Sequence, residues 1–170
     1  SYWRVGPVLQ SAVSAIDIAL WDIKAKTCGV PVYEMLGGKV RDSIRMYANV
    51  WFAGAKTPEE FAQAAKKAVS LGITALKWDP FGKAYMNMSS VELRRSLEIV
   101  EAVRGAVGKD VDLLIEGHGR FDIATGIKIA NELKAFDPMF FEEPTPPDNL
   151  DALAEVHRRS PVPIAGGERV

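Results

Sequence analysis

Three glutamates, Glu116, Glu142 and Glu168, stand at equal intervals of 26 residues, and each follows a short apolar run. The runs read Leu114-Ile115-Glu116-Gly117-His118-Gly119-Arg120, Phe140-Phe141-Glu142-Glu143-Pro144 and Ala165-Gly166-Gly167-Glu168-Arg169. Equal spacing puts each acid at the same point of successive strand–helix units. In a barrel of such units those points are neighbours on the C-terminal rim, where active sites of that architecture are built. Three carboxylates converging there repel unless a cation sits among them. Oxygen ligands without cysteine select Mg²⁺ or Mn²⁺ over zinc. Any one of these glutamates reads as a solvated acid at a strand end; three in register point to a metal site. Gly117, Gly119, Gly166 and Gly167 allow close approach of backbone and ligand, although glycines also serve plain turns.

Lys77 closes another apolar run, Ala75–Trp78, and aims at the same rim. Alone it reads as a snorkelling surface lysine. Beside three carboxylates it has a second use. A substrate carboxylate held between metal and ammonium gains charge as its α-proton leaves, so both cations stabilise the enediolate more than the ground state. His118 is one of only two histidines. A lone histidine is commonly structural, but this one lies between glycines, two residues past a candidate ligand, where an imidazole can move a proton near neutral pH. Arg120 and Arg169 suit a substrate carboxylate or hydroxyls, or simple ion pairs. His157, within Glu155-Val156-His157-Arg158-Arg159, reads as a solvated helix face.

The elements that must position these groups alternate. Leu9, Val13, Ile16, Leu20 and Ile23 recur at helical period, predicting a helix over about 8–26 with one buried face. Gly29 stops it and Pro31 prevents its resumption, and Gly37-Gly38 break a short second element. Five strands are then expected, over about 44–51, 75–78, 111–115, 139–141 and 164–165. Helices over about 57–70, 89–107, 122–135 and 149–159 separate them. Thr57-Pro58-Glu59-Glu60 and Ser89 with Glu92 are capping-box starts. Strand–helix alternation implies a parallel sheet with crossover helices. The strands lack polar alternation, which fits helices on one face and packed side chains on the other. No GxGxxG or P-loop follows the first strand, which favours a (β/α)8-type (TIM) barrel over an open nucleotide-binding sheet. Such a barrel needs eight units and about 250 residues, so the 170 residues read as a piece of a longer protein, five strands of a partial barrel.

Composition excludes other classes. Hydrophobic residues at 48% supply a core, so disorder is not the main description. Twenty-one basic against 22 acidic residues lack the excess of a nucleic-acid binder. No apolar run approaches the roughly 20 residues of a membrane helix, and no signal peptide opens the sequence. The single cysteine, Cys28, cannot form an internal disulfide, which suits a reducing compartment. These features predict a soluble, cytoplasmic protein.

Glu116-x-His118-Gly119, Phe141-Glu142-Glu143-Pro144 and Gly167-Glu168-Arg169, in that order, resemble the third, fourth and fifth strands of the enolase superfamily, in its mandelate-racemase-like branch. Tyr47-Ala48-Asn49, Lys77-Trp78-Asp79-Pro80-Phe81-Gly82 and Glu116 to Phe121 resemble acid-sugar dehydratases of the gluconate and galactonate type. Ser14 to Asp22 and Leu36-Gly37-Gly38 resemble the link from the capping domain into the barrel. The resemblance implies a capping-domain piece over 1–40 and barrel over 41–170. It implies that Glu116, Glu142 and Glu168 bind one Mg²⁺, with Mn²⁺ as the alternative, and that Glu143 supports the site or contacts substrate. It gives His118 the role of general acid for a departing 3-hydroxyl, with Lys77 beside the substrate carboxylate. Where related enzymes carry a second, basic lysine, this chain has Asp79, which orients Lys77 or binds a sugar hydroxyl and argues against a lysine-based racemase. The family's usual base, a histidine on the seventh strand, is expected beyond Val170. The implied partner is a small sugar acid, and the implied assembly a homo-oligomer, without nucleic acid or membrane. Two alternatives stay open: a racemase, epimerase or cycloisomerase using the same enediolate, and a non-catalytic metal-binding fragment.

Overall fold

The computed structural model describes residues 6–168, and these fall into two compact units, 6–45 and 46–168.

In the first unit, helix α1 (Pro7–Cys28) opens with proline at its first turn, where a missing N–H costs nothing. It ends at Gly29 in the left-handed region, φ 69°, whose N–H returns to the carbonyls of Ala25 and Lys26. A single turn, α2 (Val32–Met35), follows. The buried face expected of α1 is not found within this unit. Only Ala25 is buried, while Leu9, Val13, Ile16, Leu20 and Ile23 are all exposed. The helical period is present, but four residues of α2 offer too little surface to cover five large side chains.

The second unit is α/β. Its order is α3 (Pro58–Ser70), β1 (Ala75–Trp78), α4 (Ser90–Val107), β2 (Asp112–Glu116), α5 (Ile123–Leu133), β3 (Phe140–Glu142), α6 (Leu150–Arg159) and β4 (Ile164–Ala165). A 3-10 turn, Lys134–Phe136, extends α5. Both capping boxes form, Thr57 with Glu60 and Ser89 with Glu92. Asp122 and Asn149 cap α5 and α6 through the amides of Thr125 and Ala152.

All four strands are parallel, in the order β1-β2-β3-β4. The order follows the chain and never reverses, unlike a doubly wound sheet with its switch point. The strand expected over 44–51 shrinks to one parallel bridge, Ala48 with Leu76. Ala48 donates to the Ala75 carbonyl and accepts from the Lys77 amide, both at 2.9 Å. Val50 then takes a left-handed φ of 59° and the chain turns, which ends the pairing.

Strand parity sorts the side chains. Leu76, Trp78, Leu113, Ile115 and Phe141 enter one core with Phe61, Ala65, Val100, Val103, Ile129 and Leu133 of the helices. The register sets Lys77 opposite Leu114, and Glu116 opposite Glu142. With side chains alternating along each strand, Lys77, Glu116 and Glu142 belong to the other face. Trp51 packs edge-on against Trp78 at 5.4 Å, and Phe52 stacks on Phe61 at 5.8 Å, which pins the 51–52 turn beside β1.

Candidate active site

Parity brings Lys77 to the two carboxylates. Its Nζ lies 2.8 Å from Glu116 Oε2 and 2.5 Å from Glu142 Oε2. Lys77 is 7% exposed and Glu116 4%, so water screens this cluster little. Burial by itself disfavours the Lys77 ammonium, but hydrogen bonds and charge from Glu116 and Glu142 outweigh it and hold the pKa above that of an ordinary lysine. Glu142 is pushed up, chiefly by burial and further by the charges of Glu116 and Glu168, against the pull of Lys77. One ammonium therefore balances two carboxylates incompletely, with Glu168 acting on Glu142 as well. The Tyr47 ring adds a face to Lys77 Nζ at 5.6 Å.

His118 follows β2 in the left-handed region, φ 55°. This is a costly conformation for a residue with a side chain, and one concentrated at functional sites. Its amide donates to Glu116 Oε1 at 2.8 Å, which holds the turn. Its ring Nδ1 lies 2.6 Å from Asp79 Oδ2. A carboxylate there accepts a hydrogen bond from Nδ1–H and leaves Nε2 as the second working nitrogen. Asp79 is fixed in turn. Oδ1 accepts from the Phe81 amide at 2.8 Å and Oδ2 accepts from Arg120 Nη2 at 2.7 Å. Gly117 must be glycine, since a Cβ there would fall 2.8 Å from the Glu143 carbonyl oxygen.

A cavity of about 190 Å³ is lined by Asn49, Phe52, Lys77, Trp78, Asp79, Glu116, His118 and Glu168. Five of the expected site residues thus share one space, and Glu142 joins it through Lys77. The remaining candidates are placed differently. Arg120 donates to the carbonyls of Gly117 and Gly82 as well as to Asp79, so it braces the two loops. Asp79 pairs with His118 and Arg120 rather than with Lys77. Glu143 is buried, and its Oε1 accepts from the amides of Gly167 and Glu168. Arg169 lies outside the described residues. Tyr47, Asn49 and Phe52 have no individual role assigned from the sequence, although Tyr47-Ala48-Asn49 is one of the motifs that carry the resemblance.

Among the described residues no three His, Cys, Asp or Glu side chains converge closely enough to hold a metal ion. Glu116 and Glu142 are drawn instead onto Lys77. The donor chemistry nevertheless suits a hard divalent ion. All three glutamates offer oxygen only, two are register partners, and Glu168 acts electrostatically on Glu142.

Residues 60–170 match the family described as enolase C-terminal domain-like. Residues 2–37 match the mandelate racemase / muconate lactonizing enzyme N-terminal domain. The chain is 47% identical over 160 residues to a D-gluconate dehydratase of Thermoproteus tenax, covering 94% of this chain and 32% of the relative. It is 39% identical over 160 residues to a D-gluconate/D-galactonate dehydratase of Picrophilus torridus, covering 94% and 41%. A D-galactonate dehydratase of Pectobacterium atrosepticum is 34% identical over 169 residues, with 99% and 44% covered. The chain thus spans 32% to 44% of the length of these relatives. Among solved structures, an enolase superfamily member from Salmonella Typhimurium superposes with a TM-score of 0.92 at 38% identity, covering 98% of this chain and 47% of that one. A mandelate racemase/muconate lactonizing enzyme from Jannaschia sp. gives 0.90 at 37%, covering 98% and 46%.

Proposed function

Because this chain belongs to the enolase superfamily, in its mandelate racemase / muconate lactonizing enzyme branch, we propose that it forms the carboxylate-binding and proton-donating part of a Mg²⁺-dependent acid-sugar dehydratase. The sheet, with Ala48 at its edge, is then the first five strands of a (β/α)8 barrel, and residues 1–40 belong to the capping domain. The relatives named as gluconate and galactonate dehydratases support this substrate class.

Glu116, Glu142 and Glu168 would hold Mg²⁺, or Mn²⁺, once Lys77 turns its ammonium from the first two toward substrate. A divalent ion bound there supplies fixed positive charge to a substrate carboxylate. Lys77 supplies the second charge at that carboxylate as the C2 proton passes to a base contributed from outside residues 6–168, and so favours the enediolate over the ground state. His118, steered by Asp79, gives a proton to the 3-hydroxyl, which departs as water; hydroxide itself is a poor leaving group. The remaining enol tautomerises to a 2-keto-3-deoxy acid. Asn49 lines the cavity as a contact for sugar hydroxyls, and Arg120 braces Asp79 against His118.

The observation that carries this reading is that His118, held by Asp79, opens on the same cavity as Lys77, Glu116 and Glu168. The test is an assay of the natural polypeptide with Mg²⁺ against a panel of aldonic and aldaric acids. A 2-keto-3-deoxy product is expected from at least one; a panel without any keto-acid product rejects the assignment.

A further inference from the structure

Glu143 is a buried carboxylate, 3% exposed, for which catalysis as described above has no use. We propose that it is a positioning residue that sets Glu168 in place relative to Glu116 and Glu142. The inference rests on the metal-binding role given to those three in the preceding subsection.

Three connections meet in this one residue. Its Oε1 accepts from the Gly167 amide at 2.6 Å and from the Glu168 amide at 3.3 Å. Its own amide donates to the Ala165 carbonyl at 2.9 Å, and its carbonyl accepts from Gly119 at 2.6 Å. Glu142 precedes it by one peptide bond. The residue therefore binds the chain just past β4, where Glu168 stands, to the loop past β2, where Glu116 and His118 stand. Amide bonds to a carboxylate are charge-assisted and stronger than those between neutral groups.

The surrounding backbone is adapted to this contact. Glu143 has φ 43°, in the left-handed region that a side chain disfavours. Gly117 leaves room for the Glu143 carbonyl oxygen, which a Cβ at that position would meet at 2.8 Å. β4 has only two residues, so regular pairing does not reach Glu168, and the Glu143 carboxylate takes over where the ladder stops. Groups that orient metal ligands from behind typically govern affinity by 10–100-fold.

The experiment measures Mn²⁺ affinity of the protein by calorimetry, with circular dichroism as the fold control and amide exchange of Gly167 as the local readout. Glu143→Gln keeps an accepting oxygen and should keep most of the affinity and the Gly167 protection. Glu143→Met keeps the volume without the acceptor; it should bind Mn²⁺ roughly 10–100-fold more weakly and exchange Gly167 faster. If Glu143→Met does not fold, Glu143→Asp, one methylene short of the two amides, takes its place with the same expectation. A folded Met or Asp variant with unchanged Mn²⁺ affinity overturns the proposal while leaving the dehydratase reading intact. A wild-type protein that binds no Mn²⁺ rejects the metal site itself, and this positioning role with it.

Discussion

Nδ1 of His118 and Oδ2 of Asp79 stand 2.6 Å apart, although 39 residues separate them in the chain. They meet because each follows the end of its strand, β1 for Asp79 and β2 for His118, and those strands are paired neighbours. In the proposed reaction Asp79 would thereby select the tautomer of His118. Replacing it by asparagine leaves the shape but removes the charge that holds Nδ1–H. Asp79→Asn should lower kcat for water loss by about 10²-fold with a smaller change in KM. Steady-state kinetics on the best sugar acid of the panel decide this; equal loss in kcat and gain in KM would assign Asp79 to substrate binding instead.

His118→Asn separates the two halves of the proposed reaction. Keto-acid formation should fall by roughly 10²–10⁴-fold, because the 3-hydroxyl loses its proton donor. Exchange of the C2 proton in D₂O should persist, since that step does not need His118. Mass spectrometry of recovered substrate reads the exchange. Loss of both together would make His118 the base or a fold determinant.

Lys77→Met leaves buried Glu116 and partly buried Glu142 side by side without their shared ammonium. Removing one partner from a buried ion cluster costs about 3–5 kcal/mol, so the variant should melt well below wild type in the presence of a chelator. Mg²⁺ or Mn²⁺ should recover part of that loss, because a cation can take the place of the ammonium. Calorimetric melts with and without metal measure both effects.

Acid should loosen α3 and α4 from their first turns. Glu60 is held below the ordinary carboxylate value of 4.5 by the amides of Lys56 and Thr57. Glu92 is held below it by the Ser89 hydroxyl and amide. A carboxylate with a lowered pKa in the fold contributes stability that is full above 4.5. The contribution fades as pH falls through the lowered value. The paired variants Glu60→Gln and Glu92→Gln keep the capping geometry without the titration. Their melting temperature should vary less with pH below 4.5 than that of wild type. An identical pH slope would deny the boxes this role.

The local chemistry of this sequence determined most of the elements by itself. Thr57 with Glu60 and Ser89 with Glu92 start α3 and α4 as their spacing predicts, and the apolar runs at 75–78 and 111–115 give the largely buried strands Ala75–Trp78 and Asp112–Glu116. The common place of Glu116, Glu142 and Lys77 on one face was also legible, because strand parity is a property of sequence position. Other features depended on partners that no local pattern encodes. The 44–51 segment keeps only the Ala48 bridge because Val50 turns the chain away, and α1 shows helical periodicity without burial because α2 is too small to cover it. Lys77 closing on two glutamates, Asp79 turning to His118 and Arg120, and Glu143 reaching the amides past β4 join residues 24 to 65 positions apart. Burial and hydrogen-bond geometry choose such pairings, and both exist only once the strands lie side by side.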